Sequence, residues 1–276
     1  MTFCNCARVF SLTGHGHEEE SSGREFPPAA NGYDRSPMLP AEANVCESIT
    51  ATTELLLVMP GWDGRRYLSL LQSNLATIRA ATAFDCILYV YLDREALPDF
   101  DPRAVDPCYV AFGPGLPGNF LSAVPECALA SHRHVAVLMD DVDIGSVNVA
   151  DMFEIMSRFD LDVASPKIQG GIVDYLKKVE YCPYCFAAMD ELESEVPVEG
   201  HVGWVTGSVE MFFYIFRQPS YSCWKDTCVD AERNPHAWGY DQFLRSACGS
   251  RIGLIHKYTI THKGPFVYNF RAETQS

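Results

Sequence analysis

The chain has 276 residues, of which 47% are hydrophobic and 12% aromatic, a composition that supports a buried core and excludes a wholly disordered protein. Its 36 acidic residues outnumber the 21 basic ones, and the resulting net charge of −15 repels nucleic-acid phosphates, so we expect no nucleic-acid partner. No run reaches the roughly 18–20 apolar residues that a membrane-spanning helix requires, so we predict no transmembrane segment.

The first 52 residues differ in composition from the rest of the chain. They are rich in Gly, Pro, Ser and Glu and show no apolar periodicity. Such a segment buries too little surface to offset the entropy of ordering it. We therefore predict a flexible leader over residues 1–52 and one folded domain over residues 53–276.

The chain contains eleven cysteines, an odd number, and they are scattered along it. This distribution favours mostly reduced thiols in a cytoplasmic protein. The alternative is a protein of the Golgi or secretory lumen with some cysteines in disulfides.

Apolar strands and amphipathic helices alternate over residues 53–160. Continuous apolar runs that are typical of buried parallel strands cover Glu54–Pro60, Cys86–Leu92, Tyr109–Phe112 and His134–Met139. Helices are predicted over Arg65–Ala80, Asn119–Ser131 and Asn148–Phe159. This alternation predicts a largely parallel sheet that is covered by helices on both faces.

The pattern changes over residues 161–276. The run Val202–Phe216 is longer, more aromatic and interrupted by Gly, which indicates antiparallel or mixed strands. Two helices, Ser220–Ala231 and Tyr240–Ala247, and a closing strand, Arg251–Ile260, are predicted to follow it. The predicted fold class is therefore α/β, with a Rossmann-like, mostly parallel mixed sheet and a smaller antiparallel region.

The strand that ends at Met139 continues directly into three carboxylates, Asp140, Asp141 and Asp143. Ligands of open α/β sheets bind at the carboxyl ends of strands. Crowded carboxylates repel one another unless a cation neutralises them, and oxygen ligands suit Mn²⁺ or Mg²⁺, which can also bridge a diphosphate. The cluster thus indicates a divalent-cation site, and the alternative is a solvated turn in which an Asp caps the next helix.

A strand followed by Asp-x-Asp resembles the GT-A class of nucleotide-sugar glycosyltransferases. The wider pattern is similar to a plant and algal family of glycosyltransferase-like proteins that is classified as a domain of unknown function. The segments that carry this resemblance are Leu55–Pro60, Leu138–Ser146, Ser208–Phe216, His236–Asp241 and Ile252–Gly264. The resemblance implies a GT-A-like domain with a nucleotide-sugar-binding half over residues 53–160 and an acceptor half over residues 161–276.

The resemblance also implies an activity and a metal site. The activity is the metal-dependent transfer of a sugar from a nucleotide sugar, with UDP as the expected nucleotide, to a glycan or another hydroxyl acceptor. Asp141 and Asp143 fill the Asp-x-Asp positions, the second as metal ligand and the first reaching the metal shell or the ribose. His262 matches the late His that completes the site, and imidazole is a suitable ligand for Mn²⁺. Asp140 falls outside the pair and either contacts the donor or holds the turn.

The same resemblance suggests an inverting mechanism with a carboxylate base. Asp241 is the first choice for this base, and a helix N-cap is its alternative role. Glu210 is the second choice, because a carboxylate within an aromatic run is costly to bury without a task or a partner. Trp238 would stack on the acceptor sugar, or else belong to the core.

Two further residues are candidates for donor binding. Asp93 ends a predicted strand, and Asn119 follows a Gly/Pro loop that matches no phosphate-binding motif. Two other functions remain open. One is a phosphohydrolase of the haloacid dehalogenase type, with Asp141 as nucleophile and Asp143 as acid, and the other is a non-catalytic module that binds a sugar nucleotide.

Overall fold

A computed structural model describes residues 45–46, 49, 53–92, 95, 97–113, 115–169, 202–234, 237 and 239–264. The strands in these ranges are β1 Leu55–Trp62, β2 Phe84–Val90, β3 Cys108–Phe112, β4 His134–Leu138, β5 Val142–Asp143, β6 Val163–Gln169, β7 Gly203–Thr206, β8 Phe213–Arg217 and β9 Ile252–His262. The helices are α1 Leu68–Ala81, α2 Pro117–Ser122, α3 Glu126–Ala130, α4 Val149–Arg158, α5 Gln218–Cys228 and α6 Leu244–Cys248. Short 3₁₀ helices cover Pro102–Val105 and Tyr240–Phe243.

The nine described strands form one mixed sheet. Its order is β3-β2-β1-β4-β8-β6-β9-β5, and β7 also pairs with β9. β1 to β4, β6 and β9 run in one direction, whereas β5, β7 and β8 run antiparallel to their neighbours. The carboxyl ends of β1, β2, β4 and β9 therefore lie at the same edge of the sheet.

Helices cover both faces of the sheet, because alternate side chains of each strand point to opposite sides. Leu55 and Leu57 of β1 belong to a core that also contains apolar residues of α1 and α4. Leu56 and Val58 belong to a second core, which contains residues of α2, α3, α5 and α6. This arrangement confirms the predicted α/β class with a mostly parallel sheet.

The predicted helix over Asn119–Ser131 is in fact two helices, α2 and α3. Pro125 lies between them, and it has no backbone N–H with which to continue a helix. Its extended conformation instead places it directly before the first residue of α3.

The expectation of mostly reduced thiols is wrong for six cysteines, which form three disulfides. Cys46 pairs with Cys127, Cys86 with Cys108, and Cys223 with Cys248. The partners are 81, 22 and 25 residues apart in sequence, so each pairing depends on the fold. One example is the Cys86–Cys108 bridge, which joins directly opposed residues of neighbouring strands β2 and β3.

Contacts with the core begin before Thr53. Val45 and Ile49 are buried in the core that contains α2 and α3, and Cys46 is covalently tied to α3. The remainder of the predicted leader lies outside the described residues, and the division into leader and domain stays a prediction. Among the described helices, none has the length and apolar character needed to cross a bilayer.

Candidate active site

Polar groups from several strands meet at the sheet edge where β1, β2 and β4 end. Asp63 follows β1, Tyr91 follows β2, and Asp140 comes shortly after β4. Burial, followed by the negative charges of Asp63 and Asp140, raises the pKa of Tyr91. Burial, followed by the charges of Asp141 and Asp63, raises the pKa of Asp140 to about 7. This acidic cluster lies at the carboxyl ends of strands, where open α/β sheets bind their ligands.

Asp141 and His262 lie in direct contact at this edge, although they are 121 residues apart in sequence. His262 Nε2 is 2.9 Å from Asp141 Oδ2, and the histidine side chain is only 7% exposed. The short strand β5 pairs antiparallel with the end of β9, which places Val142 opposite His262, and the Lys263 N–H donates to the Asp141 carbonyl (2.7 Å). The ring of Phe212 packs against the His262 ring at 4.8 Å.

Asp143 lies next to this pair, but its carboxylate contacts different partners. One oxygen, Oδ1, accepts a hydrogen bond from the Gly145 N–H (2.9 Å). The other, Oδ2, is 3.3 Å from the Lys263 ammonium. The structure therefore brings Asp141 into contact with His262, whereas the Asp143 carboxylate contacts Gly145 and Lys263.

The loop that carries these aspartates is held by a buried amide from α1. Asn74 has no exposed surface, donates to the Val142 carbonyl (2.6 Å) and accepts from the Ile144 N–H (3.1 Å). These two backbone groups flank Asp143, so Asn74 fixes the position of the turn. Ser146 adds a further link, because its hydroxyl donates to the Thr259 carbonyl of β9 (2.6 Å).

Replacing Asn74 by Leu is expected to destabilise the protein and loosen this turn. Two buried backbone groups would lose their partners, and we estimate a loss of about 3 kcal/mol in the free energy of unfolding. Urea denaturation measures the loss. Asn74→Asp is a second test: it keeps the shape and the acceptor for Ile144 but, when ionised, cannot donate to Val142 and adds a buried charge, so it should also destabilise the protein. Equal stability of Asn74→Leu and the wild type would show that the amide does not hold the turn.

The two candidate bases, Glu210 and Asp241, lie around one buried tyrosine. Tyr214 of β8 has its pKa raised well above the usual value by burial, and then by the negative charges of Asp241 and Glu210. Its hydroxyl donates to the Val209 carbonyl and so anchors the segment that carries Glu210. Glu210 is buried, and two residues later Phe212 reaches the His262 ring.

Asp241 is positioned by the preceding residue, Tyr240. The Tyr240 carbonyl accepts from Trp224 Nε1 (3.0 Å), and its hydroxyl donates to the Asn234 carbonyl (2.7 Å). Gly239, with φ of +73°, supplies the left-handed backbone from which the 3₁₀ helix begins. Asp241 is half-buried in the first turn of that helix.

The remaining predicted donor- and acceptor-binding residues either hydrogen-bond within the protein or lie outside the described residues. Asn119 Oδ1 accepts from the Leu116 N–H (3.0 Å), an interaction that caps the start of α2. Asp93 and Trp238 fall outside the described ranges, and their predicted roles stay predictions.

A separate cavity of about 560 Å³ lies at the opposite edge of the sheet, lined in part by Glu54, His134 and Arg217. Its charged groups pair with protein partners, since Glu54 contacts His134 (3.2 Å) and Arg217 contacts Asp160 (2.8 Å). We therefore assign the candidate active site to the acidic edge rather than to this cavity.

Sequence reasoning missed four residues of the site: Asp63, Tyr91, Asn74 and Lys263. Asp63 and Tyr91 directly follow strands, so the strand-end rule that selected Asp93 could also have found them. Asn74 has the helical spacing of the buried residues Leu71, Leu75 and Ile78, and a lone amide on an apolar helix face is a usable signal. Lys263 gave no signal beyond its position next to His262.

The residues at the edge fit a divalent cation in their chemistry. An imidazole nitrogen and carboxylate oxygens are suitable ligands for Mn²⁺. Gly264 lies against the Asp141–His262 pair, where a Cβ would overlap Asp141 Oδ2 and approach His262 Nε2 to 3.0 Å. A glycine therefore keeps open the space beside both atoms. Within the described ranges, no three His, Cys, Asp or Glu side chains are grouped so as to hold a metal by themselves.

Comparison with known proteins gives a likeness in fold. No protein-family model matches the chain, and no curated protein matches its sequence. The crystal structure of S. aureus TarS is similar with a TM-score of 0.50 and 13% identity, and the match covers 76% of this chain and 37% of TarS.

Two structures of the TarS fragment 1–349 are similar at lower scores. One has a TM-score of 0.49 and 15% identity, covering 76% of this chain and 60% of the fragment. The other, in complex with UDP-GlcNAc, has a TM-score of 0.44 and 14% identity, covering 76% and 59%. The chain thus spans less than two thirds of the proteins it matches, and the TarS match shows a likeness in fold.

Proposed function

We propose that this protein is a glycosyltransferase that transfers a sugar from a nucleotide sugar, with UDP as the nucleotide, to a hydroxyl group of a glycan or another acceptor. The observation that supports it most is the contact between Asp141 and His262 at the carboxyl ends of parallel strands. This acidic edge lies in a fold similar to that of TarS. The UDP-GlcNAc complex of the TarS fragment makes UDP-GlcNAc the first donor to test.

A divalent cation belongs to this proposal. Asp141 and His262 would hold it, and Asp143, the second aspartate of the motif, is a further candidate ligand. The bound cation would neutralise the diphosphate and stabilise the negative charge on the leaving group. A cation is needed here because the carboxylates of this edge would otherwise repel the negatively charged diphosphate.

The chain's own residues supply the rest of the mechanism. The Asp241 carboxylate accepts the proton of the acceptor hydroxyl as that oxygen attacks the anomeric carbon. The new bond forms as the bond between the anomeric carbon and the phosphate oxygen breaks, and the nucleoside diphosphate leaves with the electron pair. Attack opposite to the leaving group inverts the anomeric centre. Glu210, near the same Tyr214, is the second candidate for the base.

Metal-dependent binding and cleavage of a nucleotide sugar test this function. We expect UDP-GlcNAc or another UDP-sugar to raise the melting temperature only modestly with chelator and by several degrees with Mn²⁺. Slow release of UDP, measured by coupled assay without acceptor, should follow the same metal dependence.

The control for this experiment is Asp160→Asn, an exposed position far from the acidic edge, which should leave both readouts unchanged. Release of phosphate from p-nitrophenyl phosphate would instead favour the phosphohydrolase. Metal-dependent binding without cleavage or transfer would favour the non-catalytic module, and no response to any nucleotide sugar would contradict the proposal.

A further inference from the structure

The acidic edge contains one basic side chain that the proposed mechanism has not used. Lys263 follows the last residue of β9, and its ammonium lies 3.3 Å from Asp143 Oδ2. Its backbone N–H donates to the Asp141 carbonyl (2.7 Å), so the position of the residue is fixed while its side chain stays 45% exposed. Lysine is a compact point charge on a flexible stem, which allows the ammonium to change partners.

The contact with Lys263 gives Asp143 a partner that competes with a cation. A carboxylate that faces an ammonium is already neutralised, and a metal must displace that ammonium before it gains the oxygen. Asp141 contacts an imidazole instead of an ammonium, and an imidazole nitrogen and a carboxylate oxygen can both be ligands of one metal ion. The two aspartates of the motif therefore differ in the partner that a cation would have to displace.

A diphosphate that enters beside Asp141 and His262 would also come within reach of Lys263. A backbone hydrogen bond joins Lys263 to Asp141, so the flexible side chain that carries the ammonium begins next to the pair. Several carboxylates surround this point, and an anionic ligand needs a positive charge there. The Lys263 ammonium provides that charge without any metal.

We propose that Lys263 exchanges partners in this site: it neutralises Asp143 when no donor is bound, and it binds the donor's diphosphate when one is. This proposal rests on the proposed function, since it names the residue that recognises the phosphates of the same donor. Release of Asp143 from the ammonium then makes its carboxylate available to the cation. Nucleotide binding is consequently only partly dependent on metal.

The proposal predicts effects of opposite sign on two affinities when Lys263 is replaced by Ala. The affinity for UDP in the presence of EDTA should fall about tenfold, because a charge-assisted hydrogen bond to phosphate is lost. The affinity for Mn²⁺ alone should rise about two- to fivefold, because an exposed ion pair no longer occupies Asp143. Isothermal titration calorimetry measures both without any turnover, and uridine serves as the ligand that lacks phosphates.

Lys263→Arg is the matched control, since it keeps the positive charge and should retain most of both wild-type affinities. Unchanged UDP affinity in EDTA for Lys263→Ala, or weaker binding of Mn²⁺ to it, would overturn the proposal. Binding of UDP to the wild type only in the presence of Mn²⁺ would overturn it while leaving the proposed function intact. Failure of the wild type to bind UDP with or without Mn²⁺ would overturn the proposed function as well.

Discussion

Replacing Asp241 by Asn is expected to lower the rate of sugar transfer about a thousandfold, within the range that general-base catalysis contributes. The amide has nearly the shape of the carboxylate but cannot accept the acceptor's proton. Binding of UDP should stay within about twofold of the wild type, because the proposed binding site for the phosphates, at Asp141, His262 and Lys263, does not include Asp241. Single-turnover rates and UDP titrations measure the two effects separately.

The matched control for this prediction is Glu210→Gln, since both carboxylates act on the same buried tyrosine, Tyr214. If Asp241 is the base, Glu210→Gln should alter the rate far less than Asp241→Asn does. The reverse order would assign the proton transfer to Glu210. Full transfer by both variants would contradict a mechanism that uses a protein base.

Replacing Asp141 by Asn is expected to weaken Mn²⁺-dependent UDP binding about a hundredfold, the upper end of what the loss of one metal-site group costs. The amide can still hydrogen-bond to His262, so the fold and the melting temperature without ligand should change little. His262→Gln should have a similar effect on the same affinity. Titration of UDP in excess Mn²⁺ gives both values.

The double variant Asp141→Asn/His262→Gln tests whether the two residues hold the same cation. Two residues that hold one cation form a unit, so the double variant should lose little more affinity than either single variant. Independent, additive losses would show that the two residues act on different groups. Unchanged affinity in Asp141→Asn would exclude it from the cation site.

Strands β1, β2 and β4 could be predicted from the sequence because nearly all their residues, on both faces, are buried. Such strands appear as continuous apolar runs, and β1, β2 and β4 lie close to their predicted bounds. Strand β5 has only two residues, too few to produce any periodicity, and it exists because the end of β9 pairs with it. Its position depends on the whole fold rather than on local sequence.

The candidate site was predictable in part for a similar reason. Carboxylates after a buried strand indicate a ligand site from local sequence alone, and the resemblance to GT-A proteins added His262 and Asp241. The contacts between side chains were not predictable. Whether His262 faces Asp141 or Asp143 depends on the register of β5 against β9, in which a shift of one residue would move the contact to the other side of the strand.

The disulfides illustrate the same limit. Cys86 and Cys108 carry no spacing pattern, and they meet only because β2 and β3 are parallel and in register. The number and spacing of eleven scattered cysteines cannot identify such pairs.

The antiparallel junction of β5 with β9 also determines when the candidate site can assemble during folding. Its key side chains are separated by 121 residues of chain, and closing a loop of that length is an entropic cost met only by the assembled sheet. The nascent polypeptide therefore has no complete candidate site until β9, the final described strand, has been synthesised and has added to the sheet. A chain interrupted before Ile252 would keep its acidic motif without the histidine and lysine that lie against it.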